Sequence, residues 1–181
     1  INECYGLKWE NVDIKHGTIT IDRQMQYQEG LIKLVSLKTR NARRTVYMSD
    51  KLKTYFLHLE QERKVQAATQ TAQRAQNQTF IIDIDGKQIS SLELVNSLPN
   101  GKIQTVNSLK YHSRTIKSEL GINFKYHHLR HTYGTRLAEM NTPTHILCNQ
   151  MGHASGKVTE RYYLAVSKPG IELLTKNLNA M

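Results

Sequence analysis

The chain has 181 residues, 25 of them Lys or Arg against 15 Asp or Glu, a formal charge of +10 with histidine neutral. Its 39% apolar residues supply one core, and no apolar run of about 18 residues or secretory leader occurs, so a soluble, cytoplasmic, single-domain protein is expected. Cys4 and Cys148 are too few for a disulfide scaffold and form no CxxC pair, and the surplus positive charge favours a polyanionic partner, nucleic acid ahead of an acidic membrane surface.

Residues 1–9 (INECYGLKW) read as the end of a helix begun upstream, because no cap or turn precedes Ile1 while Cys4, Leu7 and Lys8 keep a helical spacing. Short β-branched or apolar segments follow at 18–22, 31–34 and 44–48, separated by Gly-, Asn- and Lys-containing turns, and predict a three-stranded antiparallel sheet. Ser49 or Asp50 caps a helix whose Leu52, Tyr55, Phe56 and Leu59 fall at the spacing of one buried face. The Gln-rich stretch 60–79 lacks an apolar stripe and reads as a solvated helix end followed by a mobile loop. A short strand at 80–84 and a turn at Asp85-Gly86 come next, and residues 87–104 carry little pattern. Helices are predicted at 105–119, 126–140, 143–151 with Pro143 at the start, 156–163 behind Ser155, and 170–179 after Pro169-Gly170. The expected fold is α+β, a mostly helical single domain over 1–181 with a small sheet near its amino end.

Two groups in the helical half carry chemistry. Within the run His127-His128-Leu129-Arg130-His131, His127 and Arg130 stand three residues apart on one helix face, where both can reach one anion. Met151-Gly152-His153 ends the next helix, followed by Thr159 and the pair Tyr162-Tyr163. A tyrosine hydroxyl with an ordinary pKa of about 10 is a poor nucleophile, so one that attacks phosphorus needs nearby cations for its phenolate and a base for its proton. Histidines and an arginine at this spacing supply both.

Together these residues resemble the catalytic domain of the tyrosine recombinases, the phage and transposon integrase family. The family pattern places a Lys in a β-turn, His-x-x-Arg, Leu-Gly-His and a Tyr nine residues beyond that last His. Here Leu37-Lys38-Thr39-Arg40 supplies the lysine segment, His127-x-x-Arg130 follows, Met replaces Leu ahead of Gly152-His153, and Tyr162 rather than Tyr163 stands nine residues past His153. The resemblance covers nearly the whole chain. It implies site-specific DNA recombination through a 3′-phosphotyrosyl intermediate on Tyr162, without cofactor, ATP or metal. Arg130 would steady the charge on the phosphate oxygens. Lys38 would protonate the departing 5′-oxygen, His127 would shuttle a proton with the nucleophile, and His153 would hydrogen-bond the phosphate. His131 is expected to pack or orient a neighbour.

The resemblance also makes Glu3 the acid of the family's Arg-x-x-Glu, whose arginine would stand immediately before Ile1. The chain is therefore expected to be a fragment that binds DNA but cleaves it feebly, since losing one phosphate-stabilising donor costs roughly a hundred- to a thousand-fold in rate, about 2.7–4 kcal/mol. Lys38, Arg40, Arg43 and Arg44 crowd one hairpin, from which backbone-phosphate contacts are expected. Ile171, Leu174 and Leu178 would line a terminal helix that folds back or, as in the family, docks on a neighbour in a DNA-bound homotetramer, where excision or DNA-bending proteins join. Two other readings compete: a catalytically impaired DNA-binding module derived from a recombinase, and a metal site from His127, His131, His145, Cys148 and His153. The spacing argues against metal, because no Glu lies between His127 and His131 and no compact Cys/His cluster surrounds Cys148.

Overall fold

The computed structural model of the chain describes residues 1–39, 42–68, 76–153, 156–164, 175–176 and 178–180, and only the backbone at 106–108 and 161–164. The described residues form two compact units, Ile1–Ile122 and Asn123–Met181. The architecture is α+β.

The first unit opens with a single helical turn, α1 (Asn2–Tyr5), that stops at Gly6. Tyr5 is buried with Met25, Leu34, Ile81 and Leu94. Glycine is required at position 6 because a Cβ there would lie 2.9 Å from the Met25 nitrogen. After a short 3₁₀ turn at Trp9–Asn11, a three-stranded antiparallel sheet joins β1 (Val12–Asp13), β2 (Thr18–Ile21) and β5 (Arg44–Tyr47) in the order β1-β2-β5. Its apolar side chains meet α2 (Asp50–Ala68), with Leu7, Ile19 and Phe56 buried between them. Ser49 Oγ accepts the Leu52 N–H at 3.3 Å and starts that helix. The buried seam of α2 is narrower than its spacing predicts: Phe56 is covered, whereas Leu52 and Tyr55 are exposed. Phe56 packs edge-on to Trp9, whose ring is covered by Arg63 at 5.2 Å.

A second sheet contains β3 (Arg23–Gln28), β4 (Leu31–Ser36), β6 (Phe80–Ile82) and β7 (Gln88–Ser90), in the order β3-β4-β6-β7 with β4 and β6 parallel. The segment at 31–34, expected beside the other two predicted strands, belongs here instead. The cause is local: Glu29 and Gly30 both take positive φ (54° and 79°), the geometry of a tight hairpin turn. This turn pairs β3 with β4 and sets Met25 opposite Leu34. Only Asp22 separates β2 from β3, so the chain changes sheet at one residue.

That crossing is held by charge. Arg23 grips Asp22 with Nε to Oδ1 at 2.8 Å and Nη2 to Oδ2 at 3.0 Å, and its Nη1 reaches Asp83 at 3.0 Å. Lys8 Nζ lies 3.2 Å from Asp83 and 2.9 Å from Glu10. Burial alone would lower the Lys8 pKa, but hydrogen bonds to Glu10 and Asp83 outweigh it and raise the value. Burial likewise pushes Asp22 upward, and the Arg23 guanidinium overrides it to hold the carboxyl below its ordinary value. Helix α3 (Val106–Leu120) adds Leu109 to the Met25–Leu34 cluster.

The second unit contains α4 (Tyr126–Glu139), α5 (Thr144–Met151) and α6 (Gly156–Leu164), close to the predicted bounds. Ala138, Leu147 and Met151 form its buried centre. Pro143 occupies the residue before α5, with the Leu147 N–H bonded to its carbonyl at 3.0 Å. Most of the predicted helix at 170–179, including Ile171 and Leu174, lies outside the described residues.

Candidate functional site

Helix α5 ends because Gly152 adopts the left-handed conformation (φ 67°, ψ 37°), which glycine enters without the usual Cβ penalty. The reversal lets Gly152 N–H bond Asn149 O at 3.0 Å and His153 N–H bond Cys148 O at 3.1 Å, satisfying carbonyls the helix would otherwise leave unpaired. His153 is thereby delivered just past the helix end. The Cys148 thiol donates to its carbonyl at 3.4 Å.

Arg130 projects from the second turn of α4, half-buried, and its Nη2 donates to the Met151 carbonyl. The two motifs therefore meet, His-x-x-Arg on α4 and Met-Gly-His at the end of α5. A guanidinium anchored through one nitrogen keeps a fixed plane and retains other N–H groups for an anion. His127 is exposed one turn earlier, with its ring edge-on to His131 at 5.3 Å between centroids.

On the far side of the corner, Nδ1 of His153 lies 2.8 Å from Oγ1 of Thr159 in α6. Thr159 is wholly buried. The backbone of Tyr162 lies in the same helix, three residues on, and its side chain is outside the described residues. Thr159 was visible in the sequence as a neighbour of Tyr162, but nothing in the spacing assigned it a partner. Among the described residues, no three His, Cys, Asp or Glu side chains gather into a set that could hold a metal ion.

The lysine segment belongs to the first unit. Lys38 is exposed in the connection between β4 and β5, where Ala42 N–H bonds Thr39 O at 3.1 Å. Arg43 is also exposed, and Arg40 lies outside the described residues. Arg44 is placed differently from the expectation of a phosphate contact. Its guanidinium binds Glu3 through two contacts, Nη2 to Oε2 at 2.9 Å and Nη1 to Oε1 at 3.2 Å, and its side chain is only 7% exposed. Glu3 and Arg44 are 41 residues apart, and the pairing fastens α1 to the strand that leaves the lysine turn.

No helix among the described residues is long and apolar enough to cross a membrane. A model of the phage integrase family matches residues 1–168. A tyrosine recombinase XerC-like protein of Caldanaerobacter subterraneus subsp. tengcongensis is 25% identical, over 91% of this chain and 41% of that protein. The Tn1549 transposon integrase, solved in complex with transposon right end DNA, superposes with a TM-score of 0.70 at 19% identity, over 98% of this chain and 54% of the other. The XerA recombinase gives 0.59 at 18% identity, over 97% and 52%. The chain thus spans about half the length of these relatives, and the two solved structures show that the fold is shared.

Proposed function

Because the chain belongs to the phage integrase family, we propose that residues 1–181 act as the catalytic domain, or most of it, of a site-specific recombinase that cuts and rejoins double-stranded DNA. The observation that carries this reading is the junction of Arg130 with the Met151 carbonyl. It sets a permanent cation beside Gly152-His153, with Tyr162 nine residues further along.

In the proposed reaction the Tyr162 oxygen attacks a backbone phosphorus, the bond from phosphorus to the 5′-oxygen breaks, and a 3′-phosphotyrosyl ester and a free 5′-hydroxyl result. The phosphodiester energy is retained in the ester, so the reverse attack by another 5′-hydroxyl rejoins strands with no ATP. Arg130 binds the oxygens on which charge accumulates. His127 takes the phenol proton, His153 donates to a phosphate oxygen, and Lys38 gives a proton to the leaving 5′-oxygen, a role open to an amine and closed to a guanidinium. Lys38, Arg40 and Arg43 contact backbone phosphates, which gives affinity that falls steeply with salt. The protein acts as a homotetramer on attachment-site DNA in the cytoplasm, joined through its carboxyl-terminal segment and aided by accessory proteins that bend DNA or direct excision.

The test is covalent trapping. The chain, and a version with arginine placed immediately before Ile1, are mixed with a nicked duplex made from the DNA that flanks the gene and run on a denaturing gel. A protein–DNA adduct lost in Tyr162→Phe and kept in Tyr163→Phe supports the reading, with the added arginine raising its yield roughly a hundred- to a thousand-fold. Salt-sensitive DNA binding without an adduct from either version favours a DNA-binding module.

A further inference from the structure

Thr159 has no task in the chemistry proposed above. It sits inside α6 with none of its surface exposed, where valine would fill the same volume without a hydroxyl to remove from water. Its Oγ1 is 2.8 Å from Nδ1 of His153. The backbone of His153 is already fixed, by the bond from its N–H to Cys148 O and by the Cys148 thiol on its own carbonyl. Its function depends further on the rotation of the imidazole and on the nitrogen that carries its proton. Thr159 touches one of the two ring nitrogens between which that proton is placed.

We propose that Thr159 is a positioning residue for strand cleavage: its hydroxyl donates to Nδ1 of His153, so that the neutral imidazole carries its proton on Nε2 and offers it to the scissile phosphate. The proposal rests on the role given to His153 above. Phosphate oxygens only accept hydrogen bonds, and a neutral imidazole can serve them only through its protonated nitrogen. With the donor at Nε2, Nδ1 must accept, and a hydroxyl supplies the proton it needs. A carboxylate in the same place would draw the proton to Nδ1 and leave Nε2 a lone pair facing an anion. A hydroxyl also accepts, so the pair survives protonation of His153 by rotation of the O–H. Because Thr159 and Tyr162 stand three residues apart on one helix, the same bond sets the phosphate donor in register with the helix that carries the nucleophile.

The tautomer is read directly by long-range ¹⁵N–¹H correlation of the imidazoles in the 181-residue chain, at a pH about two units above the ordinary imidazole pKa of about 6.5, with His153 assigned from its absence in His153→Gln. Wild type is expected to show the Nε2–H form of His153, Thr159→Val a mixture of both forms, and Thr159→Ser the Nε2–H form again. On the trapping substrate, in the version with arginine before Ile1, Thr159→Val should slow adduct formation about ten- to a hundred-fold, the range seen when the partner that orients a functional histidine is removed from metal sites, and serine should restore it. A dominant Nδ1–H form in the wild type overturns the proposal without recourse to any variant. So does an unchanged tautomer in Thr159→Val with its amide spectrum intact, or a valine variant as fast as wild type. A version with arginine before Ile1 that makes no Tyr162 adduct overturns the recombinase reading instead, while the tautomer still decides for or against Thr159.

Discussion

Replacing Asp83 by Asn changes one atom at the point where the two sheets of the first unit are tied together. The Asp83 carboxylate is 11% exposed and faces two cations that are nearly as covered, Lys8 at 10% and Arg23 at 14%. Oδ1 accepts from Arg23 Nη1 and the Ile84 N–H, and Oδ2 accepts from Lys8 Nζ and Arg23 Nη1. An amide can reproduce one oxygen but must turn its NH₂ toward one of the cations. Arg23 keeps its two contacts with Asp22. Lys8 keeps Glu10, which is 58% exposed and screened by water. Stranding a buried charge completely costs about 3–5 kcal/mol; with these partners remaining, Asp83→Asn should cost about 2–3 kcal/mol. Urea unfolding followed by the fluorescence of Trp9, the single tryptophan and the neighbour of Lys8, reads this unit selectively. With a slope of about 1–3 kcal/mol per molar urea, the midpoint should fall by about 0.7–3 M at unchanged slope. A loss below about 0.5 kcal/mol, the level of a surface substitution, would refute the argument that the cluster behaves as buried.

The same cluster fixes the pH response. Asp22 is held below its ordinary 3.8, so its contribution is complete above that value and fades as pH falls through the lower folded value. Lys8 is raised above 10.5, so its contribution is complete below 10.5 and fades as pH rises through the higher folded value. The Trp9-monitored midpoint should therefore decline at both extremes, and Asp22→Asn should flatten the acid limb alone; an unaltered acid limb would contradict the assignment. Gly6→Ala would drive a methyl to 2.9 Å from the Met25 nitrogen and 3.0 Å from the Gln24 Cα, backbone that cannot swing aside. A loss of about 1–3 kcal/mol is expected by the same urea assay, and a neutral result would show that α1 is free to move off β3.

Legibility in the sequence followed the range of the interactions. The helices at 126–140, 143–151 and 156–163 were readable because their ends are marked locally, by Pro143 and by the left-handed Gly152. Strand β3 was not, because RQMQYQ carries few apolar residues; Gln24 is buried all the same, its side-chain amide bonded to Ser36 O at 3.2 Å. The Lys8–Asp83 contact joins residues 75 apart and leaves no local trace. In the candidate site, the family spacing picked out Arg130, His153 and Tyr162, and the structure joins the first two motifs at the Met151 carbonyl. The positions of Thr159 and Arg44 depend on which surfaces fold together. Thr159 therefore stood without a partner, and Arg44 read as one more surface cation until Glu3 was seen beside it.

The most direct measurement is mass spectrometry of the trapped adduct after nuclease and protease digestion. The account predicts that the peptide bearing both Tyr162 and Tyr163 gains the mass of a 3′-phosphonucleotide and that fragmentation places it on Tyr162. A nucleotide on Tyr163, on a serine, or on no residue at all would contradict it.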